Sequence, residues 1–190
     1  MSRVILLSLA LAAGAVTVAS CAATPNTSAT TTILTPDYAE FAGSTTDAAS
    51  DPGVHAFLER RCGTLDCHGQ VSRPFRLFSQ NGLRLANDSG IVSGGQPDTP
   101  EEIYNNYLSA IGLQPEETSR VVAGDDPPTD LLLVTKPSTY MMETHKGGQV
   151  IEMGDVSYDC LTTWLTSNSP PTAAQKQLVS ADCAQAALIP

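Results

Sequence analysis

Cys62, Cys67 and His68 are the residues of this 190-residue chain best equipped to do chemistry. They stand in the run Cys62-Gly63-Thr64-Leu65-Asp66-Cys67-His68, two thiols with an imidazole directly after the second. Thiols can close a disulfide, form thioethers or, once ionised, bind a metal. Imidazole is the commonest metal ligand. Further along lie Met142 and His145, two more groups able to ligate a soft or borderline metal.

In the sequence C-x-x-C-H, the two thiols form thioethers with haem vinyl groups and the histidine becomes the proximal iron ligand. Here the Cys-His dipeptide is intact, but the gap between the cysteines is two residues longer. That departure divides the readings. Either the spacing variant holds haem c, or the thiols form a small disulfide loop without a cofactor. The longer gap needs a looped-out segment, for which Gly63 offers backbone freedom. Cys62, Cys67, His68 and His145 also form a set that suits zinc, a reading that an oxidising compartment disfavours.

The N-terminus points to such a compartment. Arg3 supplies a positive start, Val4 to Ala15 is an apolar run, and small residues follow, the pattern of an export signal over residues 1–20. The run is shorter than the roughly 20 residues of a membrane span. Val18-Ala19-Ser20-Cys21 resembles the bacterial lipobox, which implies lipidation (palmitate among the acyl groups) at Cys21. With Ala22 next, it also implies anchoring in the cell envelope, at the outer membrane where there is one. Of the five cysteines, four then remain, an even number that favours pairing or thioethers in an oxidising setting.

The formal charge is −10, and −11 once Arg3 leaves with the signal. Such a surface repels nucleic acid and anionic headgroups and suits a basic partner or simple solubility. There is no G-x-S-x-G, P-loop or H-E-x-x-H, so nucleophilic and zinc-hydrolase catalysis find no support.

The expected architecture is mostly α. Residues 21–51, rich in Thr, Ser, Ala and Pro, read as a disordered tether, and 52–190 as one domain. Asp51-Pro52 is a helix start, and Val54, Phe57 and Leu58 share one stripe of the helix that delivers Cys62. His55 reads as a partly exposed structural residue. Phe75 to Leu85 reads as a hairpin or tight turn around Asn81-Gly82. Thr99-Pro100-Glu101-Glu102 is a capping box. Pro115 to Val122 is a short helix, and Asp130 a cap for Leu131 to Val134. Asp155 caps a helix whose Leu161, Trp164 and Leu165 share a face. Thr172 caps a last helix after the Pro170-Pro171 break. Cys160 and Cys183 lie on those two helices, and a disulfide between them follows.

Taken together, Phe57-Leu58 before Cys62, then Cys67-His68-Gly69, Leu131-Leu132-Leu133 with Lys136-Pro137, Gly147-Gly148 and Leu161-x-x-Trp164-Leu165 resemble the small cytochrome c-like domains of exported bacterial proteins. The resemblance covers most of Gly53 to Ser167. It implies one covalent haem on Cys62 and Cys67, His68 as proximal ligand to the haem iron, and electron transfer with an unknown redox partner protein. A role as an electron-transfer subunit of an oxidoreductase is compatible with it. The family's distal ligand is the Met of a Met-Pro segment before two glycines. No Met-Pro occurs here, and His145, with Met142 as the alternative, takes that position. The rival expectation is a haem-free lipoprotein, stabilised by disulfides, with a binding or structural role.

Overall fold

The computed structural model describes residues 32–44, 46–47, 49–86, 94–138, 145–167 and 170–189. The export signal, Cys21 and the tether up to residue 31 lie outside these residues, as do Met141 and Met142. The described part belongs to one folded unit that begins at Ile33. It is mostly helical. The helices are α1 (Tyr38–Ala42), α2 (Gly53–Cys62), α3 (Pro100–Ile111), α4 (Pro115–Ala123), α5 (Leu132–Thr135), α6 (Val156–Thr166) and α7 (Ala173–Ala186). Among the described residues there is no strand beyond an isolated Phe78–Leu83 bridge, and no helix is long and apolar enough to cross a membrane.

The helix starts follow local chemistry. Thr99 with Glu102 and Thr172 with Gln175 complete capping boxes at α3 and α7, and Asp155 accepts the Tyr158 N–H at α6. Two expected caps are not made. Asp51 does not cap α2, which begins after Pro52, and Asp130 does not cap α5. There, the Gln114 side chain accepts the Leu132 N–H.

The α6–α7 pair is the most extensive helix packing in the chain, and the Cys160–Cys183 disulfide joins it. Trp164, Leu161 and Leu165 of α6 are all buried, facing Phe57 and Leu58 of α2 within one apolar core. The expected shared face is therefore the buried one.

The tether ends earlier than residue 51. Phe41 is fully buried, with its ring 5.3 Å from Trp164 and 5.5 Å from Tyr107. The Trp164 indole donates to the Asp37 carbonyl and the Tyr107 hydroxyl to that of Pro36, at 2.9 and 2.8 Å. Residues 33–44 are a strap over the core. A five-residue helix among Thr, Ala and Asp leaves no periodic signal, and the residues that hold it lie 70 to 130 positions away.

Candidate functional site

The end of α2 and the turn after it build the site. Cys62 is the last helical residue, and the helix closes when Gly63 N–H donates to Glu59 O. The loop then returns on itself, with His68 N–H donating to Cys62 O at 2.8 Å and both Cys67 and Gly69 donating to Thr64 O. The residues added to the familiar spacing are thus looped out, and the two cysteines flank a tight closure. Gly63 has φ −80°, so its conformation is ordinary. What it supplies is room, since a Cβ there would sit 2.8 Å from Ser79 Cβ. Gly82 likewise lies against the Gly63 carbonyl and Ser79, so the turn around Asn81-Gly82 buttresses the cysteine loop.

Both cysteines are half-buried thiols. Burial pushes the Cys62 thiol up to about 12, and neighbouring Cys67 adds to the shift while Arg61 opposes it. A thiol held protonated is a poor metal ligand and a poor nucleophile.

His68 lines a partly open cavity of about 170 Å³. Its walls are apolar: Phe57 and Leu58 from α2, Leu133 from α5, Leu161 from α6, and Ile151. Cys62, His68 and His145 line it together. The His68 and His145 ring centroids are 6.0 Å apart and their planes differ by only 12°.

Each imidazole is aimed by a main-chain carbonyl. His68 Nδ1 lies 2.7 Å from Phe75 O, and His145 Nδ1 lies 2.7 Å from Gly148 O. Only a protonated Nδ1 can donate to a carbonyl, so in the neutral form of each ring it is Nε2 that carries the free lone pair, the arrangement typical of metal-binding histidines. Burial, then His145 and Arg73, lower the His68 pKa despite the Phe75 bond, so the ring favours its neutral, ligating form. Gly147 and Gly148 orient His145. Gly148 has φ +75°, which closes the turn back to His145, and a Cβ on Gly147 would sit 3.1 Å from the imidazole. Segment 145–151 is held in turn by Val150 and Ile151 N–H on Pro137 O and by Arg61 on Val150 O.

The donor set fits a haem. Two thiols precede His68, and the walls are apolar. Met142, the alternative distal ligand, and Cys21 lie outside the described residues.

His55, expected to be partly exposed, is buried. Its Nε2 is 3.3 Å from Asp98 and 3.9 Å from Glu59, a trio with metal-ligand composition that sequence reasoning missed. The Asn106 amide packs against His55 from α3. Asn106 pairs with both the N–H and the C=O of Phe78, so its remaining N–H faces His55 Nδ1 at 3.4 Å. The trio brings α2 and the segment before α3 together at ion-pair distance, and both Asp98 carboxylate oxygens are buried without a hydrogen-bond partner among the described residues. Arg84 was missed as well. It forms a bidentate pair with buried Glu102 and holds the carbonyls of Gln96 and Pro97. Nothing local announces either arrangement, because each joins segments well separated in the chain.

No family model matches the chain, and no curated protein or solved structure matches it.

Proposed function

We propose that this chain is an electron-transfer protein carrying one covalently attached haem c, exported and anchored to the cell envelope by lipid on Cys21. Cys62 and Cys67 tether the haem, His68 is the proximal ligand and His145 the distal one. The observation that carries this reading is the His68–His145 pair, two near-parallel imidazoles at 6.0 Å with both Nδ1 atoms against carbonyls. The haem supplies one-electron redox chemistry when bound. The protein's part is to fix both imidazole tautomers, to exclude water with the Phe57, Leu58, Leu133 and Leu161 walls, and to set the potential through ligand identity and burial. Two histidine ligands favour a lower potential than a His–Met pair, because Met raises it.

Thioether-bound haem survives denaturation. After expression with a haem-attachment system, a denaturing gel stained for haem gives a positive band for the wild-type protein, and Cys67→Ser weakens or abolishes it. A colourless wild-type band from a competent host removes the proposal.

The haem-free alternative draws on the closeness of Cys62 and Cys67, whose thiols influence each other electrostatically. On that reading the pair forms a structural disulfide, and the domain has a binding or structural role.

A further inference from the structure

A second hollow, of about 420 Å³, lies beside the histidine cavity, and Pro74 lines both. Arg73, Arg76, Asn105 and Leu108 shape it. It sits on the outer side of the segment whose Phe75 carbonyl aims His68.

Several features set it apart from the rest of the surface. Acidic residues outnumber basic ones by 20 to 10 in the chain, yet the hollow is lined by two arginines and no carboxylate. Of the two acidic residues in the first turn of α3, Glu102 is buried and paired with Arg84, and Glu101 stands a full turn before Asn105. The arginines are positioned. Arg76 Cζ lies 5.5 Å from the centroid of the Phe78 ring, the Arg76 backbone N–H donates to Ser109 Oγ, and the Arg73 side chain reaches the Asp66 carbonyl at 3.4 Å. An aromatic face under a guanidinium limits its freedom and leaves its outward edge to bind. Beside them, Leu108 and Tyr104 are 43% and 48% exposed, four residues apart on one face of α3. Paired guanidiniums next to exposed apolar side chains match a protein segment that alternates carboxylates with apolar residues.

We infer that this hollow is the docking surface for an acidic segment of a partner protein, held by Arg73 and Arg76 and seated on Leu108 and Tyr104. Its purpose, delivery of a redox partner beside His68, rests on the electron-transfer reading, whereas the binding itself does not. The location reverses what net charge suggests. The chain as a whole repels an acidic partner, but that repulsion is screened beyond about 8 Å at physiological ionic strength. At contact range the two arginines decide the sign. Charge of this kind selects the partner and its orientation more than it sets the affinity.

The test is an NMR titration of the full purified chain, at about physiological salt, with a hexapeptide of alternating Glu and Leu. The same titration is run with its Lys–Leu counterpart and with inorganic phosphate. The acidic peptide is expected to shift the signals of Arg73, Arg76 and Asn105 saturably, and the other two probes are expected to leave them in place. Arg73→Gln with Arg76→Gln weakens the binding roughly tenfold, and Lys176→Gln, on α7 and outside the hollow, does not. Each variant is first compared with wild type by circular dichroism. If the double variant misfolds, the single Arg73→Gln and Arg76→Gln chains carry the comparison. Peptide binding unchanged in these variants overturns the proposal. So do shifts that map outside the hollow, or phosphate acting as well as the peptide. None of these readouts needs haem, so a failed haem stain and a failed titration are separate results.

Discussion

The imidazoles of His68 and His145 face one cavity as near-parallel rings 6.0 Å apart, each with its Nδ1 held by a backbone carbonyl. This relationship makes His145 the expected distal ligand. Haem-loaded protein then lacks the near-infrared sulfur-to-iron band of Met ligation. His145→Ala changes the iron spin state in the visible spectrum, and Met142→Ala leaves it alone. A sulfur-to-iron band that disappears in Met142→Ala would transfer the role to Met142.

How far the sequence foretold this site differs residue by residue. The Cys62–His68 run and the position of His145 before two glycines were legible, because covalent spacing is itself the signal. The reason for the glycines was not. Gly63, Gly82 and Gly147 are needed for close packing against Ser79, the Gly63 carbonyl and the His145 ring, and those neighbours are known only once the chain is folded.

Glu102, in the first turn of α3, is the buried ionic anchor of the segment before that helix. It is fully buried and accepts from Arg84, Thr99 N–H and Leu85 N–H. Burial alone would raise its pKa, but these bonds hold it down, from the usual 4.5 to about 2. A carboxylate with a depressed folded pKa gives its full stabilisation above the unfolded value and loses it as pH falls towards the folded one. Its contribution therefore fades between pH 4.5 and about 2. Glu102→Gln is expected to destabilise the fold near neutral pH by about 1–3 kcal/mol, since the charge-assisted bonds from Arg84, Thr99 N–H and Leu85 N–H to the carboxylate are lost. It should also flatten the acid limb of stability measured by urea unfolding. An acid limb identical to wild type would contradict this assignment.

The Cys160–Cys183 bridge follows from two helices folded back at Pro170-Pro171, and the fold contains it. Replacing both cysteines with Ala is expected to lower unfolding free energy by about 2–4 kcal/mol. The haem stain should be unaffected, because neither residue lines the cavity. Non-reducing peptide mapping recovers Cys160 joined to Cys183. Recovery of Cys160 linked to Cys62 or Cys67 would contradict both the fold and the haem site.

Secondary structure was most legible where a side chain caps its own helix, as Thr99, Asp155 and Thr172 do. It was least legible where distant contacts decide. Phe41 sits in a Thr- and Ala-rich stretch that reads as a tether, and only burial against Trp164 and Tyr107 makes α1 part of the fold. His55 was misjudged for the same reason, since Asn106 and Asp98 reach it from 51 and 43 positions away.

Lipid anchoring rests on Val18-Ala19-Ser20-Cys21. A single acyl chain binds membranes only marginally, so stable attachment needs the several chains of a bacterial lipoprotein. Cys21→Ser is expected to move the protein from the membrane fraction to the soluble extracytoplasmic fraction. A mutant that fractionates like wild type places the anchor elsewhere.

The most direct test of the account is the intact mass of the protein, expressed with a haem-attachment system and measured after denaturation without reductant. The expected mass is that of the processed chain with its Cys21 lipid plus one haem, less the two hydrogens of the Cys160–Cys183 bridge. Cys62→Ser with Cys67→Ser removes the haem increment. A wild-type mass equal to the same lipidated chain without haem, less the hydrogens of two disulfides, would contradict the account.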